Sequence, residues 1–187
     1  MHPLRKRTFL ASPFFVEFLQ SAPPGPGYSS ADQQLIVDLA RYWHPGGGVG
    51  ENYDKDIQFA APPATLPTLT VSRFSYPQSS NTLGEAMWPT AAYIKGPRPP
   101  NAALAGIADS KYGIVIRSAL NTSAGSFPLM ITTVVHEMGH VIGLGHVPLA
   151  CAATQSVMIP RYEGTASLTP RPNDRTGITR LIGSRQN

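Results

Sequence analysis

At 187 residues the chain is long enough for one domain to bury a proper core without disulfide staples. Its composition, 42% hydrophobic and 14% charged, excludes a disordered chain, while Gly 17 and Pro 19 predict many loops. The net charge is +4, but the basic residues gather at the two ends without interleaved aromatics, which argues against a nucleic-acid surface; no apolar run nears the about 18 residues that span a bilayer.

The opening RKRTFLASPFFVEFL has a basic start and a short apolar run, but Pro13 and Glu17 interrupt that run. No clear signal peptide results, and PFFVEFL (13–19) reads as a first strand. After the turn-rich SAPPGPGYSS, Ser30 with Gln33 has the form of a capping box opening the helix SADQQLIVDLARYWH. Its Leu35, Ile36, Leu39, Ala40 and Trp43 fall on one face, and HPGGGVG ends it.

Strands are expected at DIQFA (56–60), TLTVSRFSY (68–76) and TLGEAM (82–87), the last weak in propensity because of Gly84. KYGIVIRSAL (111–120) is the strongest strand, with Ile114, Val115 and Ile116 in succession. Pro128 stands where a helix begins, followed by LMITTVVHEMGHVIG. Past Gly143 the chain is irregular until RPNDRTGITRLIG, a final helix. This order predicts an α+β domain. No repeat or linker divides it, so residues 1–187 are read as one domain, with an upper sheet-and-helix part of about 13–143 and a lower part of about 144–187.

Chemistry concentrates in HEMGHVIGLGH (136–146), which holds three of the five histidines. On a helix, His136 and His140 are four apart and project from the same face, so two imidazoles can reach one metal ion at about 2.0–2.1 Å. Glu137 points about a quarter-turn away, poorly placed as a ligand beside both histidines but suited to be the general base for a metal-bound water. Gly143 can turn left-handed and end the helix, which lets His146 return as the third ligand. Three neutral histidines leave one position of a tetrahedral Zn²⁺ for water, whose pKa falls toward about 7. Five fixed residues at these positions arise by chance in such a chain about once in ten thousand or less.

This pattern, HExxHxxGxxH, is similar to the zinc-binding signature of the metzincin metalloproteases. In SVMIPRY (156–162), Met158 resembles the methionine of the turn beneath their zinc. Pro160 and Tyr162 repeat the M-x-P-x-Y spacing of the matrixins, and Asp174, Gly177, Ile178, Leu181 and Gly183 resemble their last helix. The likeness covers most of residues 13–183. It implies a metzincin-like catalytic domain: a twisted mixed sheet, an active-site helix and a small irregular C-terminal subdomain ending in a helix. It also implies a zinc-dependent endopeptidase, in which Glu137 is the base and His136, His140 and His146 hold one catalytic ion. Leu83, Gly84, Glu85 and Ala86 would pair with an extended peptide as an added strand, and Pro160 and Tyr162 would wall the pocket for the side chain after the cut.

Departures from the family pattern carry further expectations. No histidine lies between His44 and His136, and Glu85 stands where a structural-zinc histidine would be, so no structural zinc is expected. The calcium-binding glycine/aspartate pattern is missing, which makes calcium doubtful and leaves Asp109 and Glu51 as surface carboxylates. Cys151, the only cysteine, permits no internal disulfide and follows the zinc helix, so it is not the propeptide cysteine that silences matrixins. Asn173 occupies the position of an aspartate that anchors the N-terminus in that family. The implied partner is a peptide or protein substrate, with no nucleic acid and no membrane span; the implied enzyme is a secreted monomer. Two rivals stand beside this reading, a serralysin-like peptidase and a zinc-stabilised binding or regulatory module without turnover.

Overall fold

Residues 14–19, 28–41, 43, 57–58, 68–92, 97–122, 125–148, 156–160 and 170–183 are described by a computed structural model. The expectations for the basic N-terminus, Glu51, Cys151 and Tyr162 lie outside the described residues. In chain order the elements are β1 (Phe14–Phe18), α1 (Ser30–Arg41), β2 (Ile57–Gln58), β3 (Thr68–Phe74), β4 (Gly84–Met87), α2 (Asn101–Leu104), β5 (Tyr112–Arg117), α3 (Phe127–Ile142) and α4 (Pro172–Gly183). The α+β class and the mixed sheet expected of a metzincin-like domain are thereby observed. No helix among the described residues is long and apolar enough to cross a membrane.

The sheet runs β2-β1-β3-β5-β4, parallel throughout except for β4, which lies antiparallel to β5 at one edge. Its central strands are covered on both faces, as parallel strands must be. Leu69, Val71, Ile114 and Ile116 join the larger core with α1 and α3, while Val115 faces a smaller cluster with Met87, Ala105 and Ile107. β4 looked weak as a strand because of Gly84, and the packing gives the reason for that glycine. A Cβ there would sit 2.6 Å from Thr133 Cγ2 and 3.0 Å from both Glu137 Cγ and the Val115 carbonyl. Only a residue without a side chain lets α3 lie this close to the sheet edge.

α1 is capped one residue earlier than the sequence suggested. The reciprocal pair is Ser29 and Asp32: the Asp32 N–H donates to Ser29 Oγ at 3.1 Å, and the Ser29 N–H donates to Asp32 Oδ2 at 3.2 Å. Ser30 with Gln33 is therefore not the capping box; an ionised carboxylate at the third helical position accepts more strongly than an amide oxygen. Asp32 also takes the Thr122 N–H at 3.0 Å and an ion pair from Arg73 at 3.1 Å, with both side chains buried. The Arg73 guanidinium lies over the Tyr28 ring, 4.4 Å from its centroid. One carboxylate thus ties the start of α1 to β3 and to the loop before α3.

A second guanidinium organises the loop 107–111. Arg98, itself buried, donates to the carbonyls of Ile107, Ala108 and Lys111 at 3.3, 2.5 and 3.0 Å. Asp109, expected to be an ordinary surface carboxylate, is 83% exposed yet lies 3.5 Å from Arg98. The guanidinium supplies the positive charge that these oxygens face.

Burial raises the Asp32 pKa, but hydrogen bonds from Ser29 and Thr122 outweigh it and leave the carboxyl below its ordinary value. Its contribution to stability is therefore complete above the ordinary carboxylate range and drains away as pH falls through the lowered value. Asp32→Ala leaves Arg73 buried without its partner and is expected to cost about 3–5 kcal/mol at neutral pH. Urea unfolding followed from pH 7 downward checks this: the gap between variant and parent should close in acid.

Candidate metal centre

α3 carries Pro128 in its first turn and ends at Gly143, whose φ of 117° lies in the left-handed region. The Gly143 N–H donates to the His140 carbonyl at 2.9 Å and the Leu144 N–H to the Gly139 carbonyl at 2.8 Å, closing the helix end. The reversal brings His146 back against the helix. Its Nε2 lies 3.1 Å from His136 Nε2 and 3.0 Å from His140 Nε2, and those two atoms are 3.0 Å apart.

The outer ring nitrogens decide what these contacts mean. His136 Nδ1 lies 2.7 Å from the Val157 carbonyl and His140 Nδ1 2.8 Å from the Leu144 carbonyl. A carbonyl only accepts, so each Nδ1 carries the proton and each Nε2 presents a lone pair. Burial lowers the pKa of all three rings; for His140, burial and then the neighbouring His136 bring it to about 3. Two Nε2 lone pairs, with the His146 Nε2 about 3 Å from both, suit a shared cation bonded at about 2.0–2.1 Å, and the donor set suits zinc. These three histidines are the one group of metal-ligating side chains found among the described residues.

Beneath the histidines the chain is held tightly. Met158 is buried, and a Cβ on Gly139 would collide with its sulfur and approach two Trp43 ring carbons at 2.9 Å. Trp43 Nε1 donates to the Val135 carbonyl at 3.0 Å, fixing the ring under α3. The Val147 N–H donates to the Met158 carbonyl at 2.9 Å, joining the strand of chain that bears His146 to the turn that bears Met158.

That turn is in turn pinned by Asp174 of α4. Its Oδ1 accepts from Ser156 Oγ at 2.5 Å, and its Oδ2 accepts the N–H of Val157 and of Arg171, each at 2.8 Å. Val157 therefore offers its N–H to Asp174 and its carbonyl to His136. Sequence reading located Asp174 but missed this link. An acid in the first turn of a helix signals a cap, and the Arg171 contact is that cap; nothing local reveals the second partner.

Glu137 is buried on the same helix. Burial, and next the Glu85 carboxylate, push its pKa up to about 8, against a lowering hydrogen bond from the Ala86 backbone N–H. A cation at the histidines would oppose that rise. Above lies a cleft of about 1070 Å³ lined by Leu83, Gly84, Glu85 and Ala86 on one side and by Glu137 and the three histidines on the other. Pro160 lines it too, while Tyr162 lies outside the described residues. Trp88, Pro99 and Ile159 also line it and were not singled out from sequence, since apolar side chains carry no signal that separates a cleft wall from a core.

An open edge strand above a histidine triad defines a class, the zinc metallopeptidases. Comparison with known families makes it specific: residues 34–183 match Matrixin, and the chain belongs to that family. No curated protein matches it. Family membership carries zinc dependence and peptide substrates.

Two substitutions test the support of the site. Gly139→Ala is expected to cost about 1–3 kcal/mol by overpacking against Trp43 and Met158, measured by denaturant unfolding of the zinc-free protein. Asp174→Ala frees Val157 and with it the His136 ring, and should weaken zinc about tenfold in competition with a chromophoric chelator.

Proposed function

We propose that the protein is a zinc-dependent endopeptidase whose catalytic domain spans residues 1–187, divided near residue 143. What carries the reading is one juxtaposition: three converging imidazole Nε2 atoms and a buried glutamate at the foot of a strand that is the sheet edge among the described residues. His136, His140 and His146 would hold the ion, with Met158 packed beneath. Zinc held there would supply the Lewis acidity that makes both water and the scissile carbonyl more reactive.

The protein's own groups do the rest. Glu137 accepts a proton from the attacking water on its carboxylate and returns it to the leaving amine, a role that its burial beside His136 supports. Leu83 to Ala86 hold the peptide extended by main-chain hydrogen bonds, so the bond to be cut lies across Glu137 rather than tumbling in the cleft. Pro160, with Tyr162, walls the pocket for the side chain after the cut. Like the matrixins it joins, the enzyme is proposed to act outside the cell, as a monomer.

Glu137→Ala should retain one zinc per chain while kcat/KM on a quenched peptide library falls by about 10²–10⁴. Equal cleavage by both forms would remove Glu137 from the role of base. Zinc bound one to one in a wild-type chain that cleaves nothing would favour a binding module.

A further inference from the structure

Among the described residues β4 is the edge strand, and the parity of its outer side singles out Glu85. The Arg117 N–H donates to the Leu83 carbonyl at 2.8 Å, and Glu85 stands opposite Val115 in the antiparallel ladder. Bonded and non-bonded pairs alternate along such a ladder, so Leu83, Glu85 and Met87 turn their backbone groups inward to β5, and Gly84 and Ala86 turn theirs outward. A peptide added at this edge would bond to Gly84 and to the Ala86 carbonyl, the Ala86 N–H being turned to Glu137. One of its residues would then lie directly across from Glu85 in a non-bonded pair, with both side chains on the same face and Cβ atoms about 4.5–5.5 Å apart.

Glu85 is held for such a pairing. Its Oε2 accepts from Tyr76 Oη at 3.2 Å and from Asn101 Nδ2 at 2.8 Å, which orients the carboxylate from behind. Both bonds fall on one oxygen, and no described group donates to Oε1. The residue is half-buried and lines the cleft. Among the described residues no lysine or arginine forms an ion pair with it. Arg117, one strand in, directs its guanidinium to the carbonyls of Ser80 and Thr82 and to the face of Tyr76. An oriented acid with no cation of its own, on the face that a neighbouring strand's side chain must share, is built to receive one from outside.

We propose that Glu85 selects a lysine or arginine side chain at the substrate position directly across from it. This deepens the endopeptidase reading and rests on it. Opposite charges facing across a strand pair are worth up to about fivefold in selectivity, and more where water is partly excluded.

The test uses the full zinc-loaded chain and a quenched peptide library varied one position at a time. Selectivity is read within each protein, as the ratio of kcat/KM for a lysine peptide over its glutamine twin. The wild type should prefer lysine or arginine about fivefold at one position, a fixed number of residues from the cut, and the ratio should shrink with added salt. Glu85→Gln should bring the ratio near one, and Glu85→Lys should invert it in favour of glutamate. Cleavage without a basic preference, or a preference that survives Glu85→Gln, overturns the proposal and leaves the endopeptidase reading standing.

A parallel arm measures binding of the same peptides to zinc-loaded Glu137→Ala by fluorescence anisotropy. If nothing is cleaved by the wild type but lysine peptides still bind more tightly in a manner that needs Glu85, the endopeptidase reading fails and the selection stands. Absence of both cleavage and peptide binding overturns both.

Discussion

Gly139 has no side chain, and the space it leaves is filled from two sides by the Trp43 ring and the Met158 sulfur. That close approach sets the depth at which the turn bearing Met158 meets α3. Val157, one residue before the methionine, can then place its carbonyl 2.7 Å from His136 Nδ1, while Val147 joins the Met158 carbonyl. The three imidazoles converge because the chain passes under the helix at this one distance. A methyl group at Gly139 would push the floor away from the histidines it supports.

The supports of the site come from distant parts of the chain and act through the backbone. Asp174 holds Val157, which holds His136; Asp32 holds Thr122 in the loop leading to α3, which carries His136 and His140. Both carboxylates are buried and fully engaged, so each stabilises a geometry as well as a fold. Arg98 does the same for the loop beside α2 with a positive charge. In each case an ionised side chain gathers groups that would otherwise be unsatisfied, the strongest form of hydrogen bond available to a protein interior.

The cleft joins two electrostatic environments. Around the histidines, burial keeps the rings neutral and their lone pairs available. On the strand opposite, Glu85 raises the pKa of Glu137 and faces the edge at which a peptide would be added. An acid on that rim would draw basic side chains to the strand edge while leaving the three histidines untouched. The rim and the floor are built from different elements, β4 and α3, so specificity could change without disturbing the metal site.

Local sequence was enough for the longer elements and for the three histidines that could hold a metal, though not for α2. The four-residue spacing of His136 and His140, the left-handed Gly143 and the apolar faces of α1 and α3 follow from helix geometry, which acts over a turn or two. The capping box of α1 lies one residue before the Ser30 and Gln33 pair, because the Asp32 carboxylate is the stronger acceptor and its ion pair with Arg73 holds it there. What tertiary structure alone decided lies at long range: the strand order β2-β1-β3-β5-β4, the outward parity of Gly84 and Ala86, and the meeting of Trp43, Gly139 and Met158. Asp174 resembles in sequence a position of the matrixin last helix, and it comes to support the turn beside His136 only when α4 docks on that turn. A residue's local neighbours fix its backbone, but its partners across the core are chosen by the packing of whole elements, and no short stretch of chain encodes that choice.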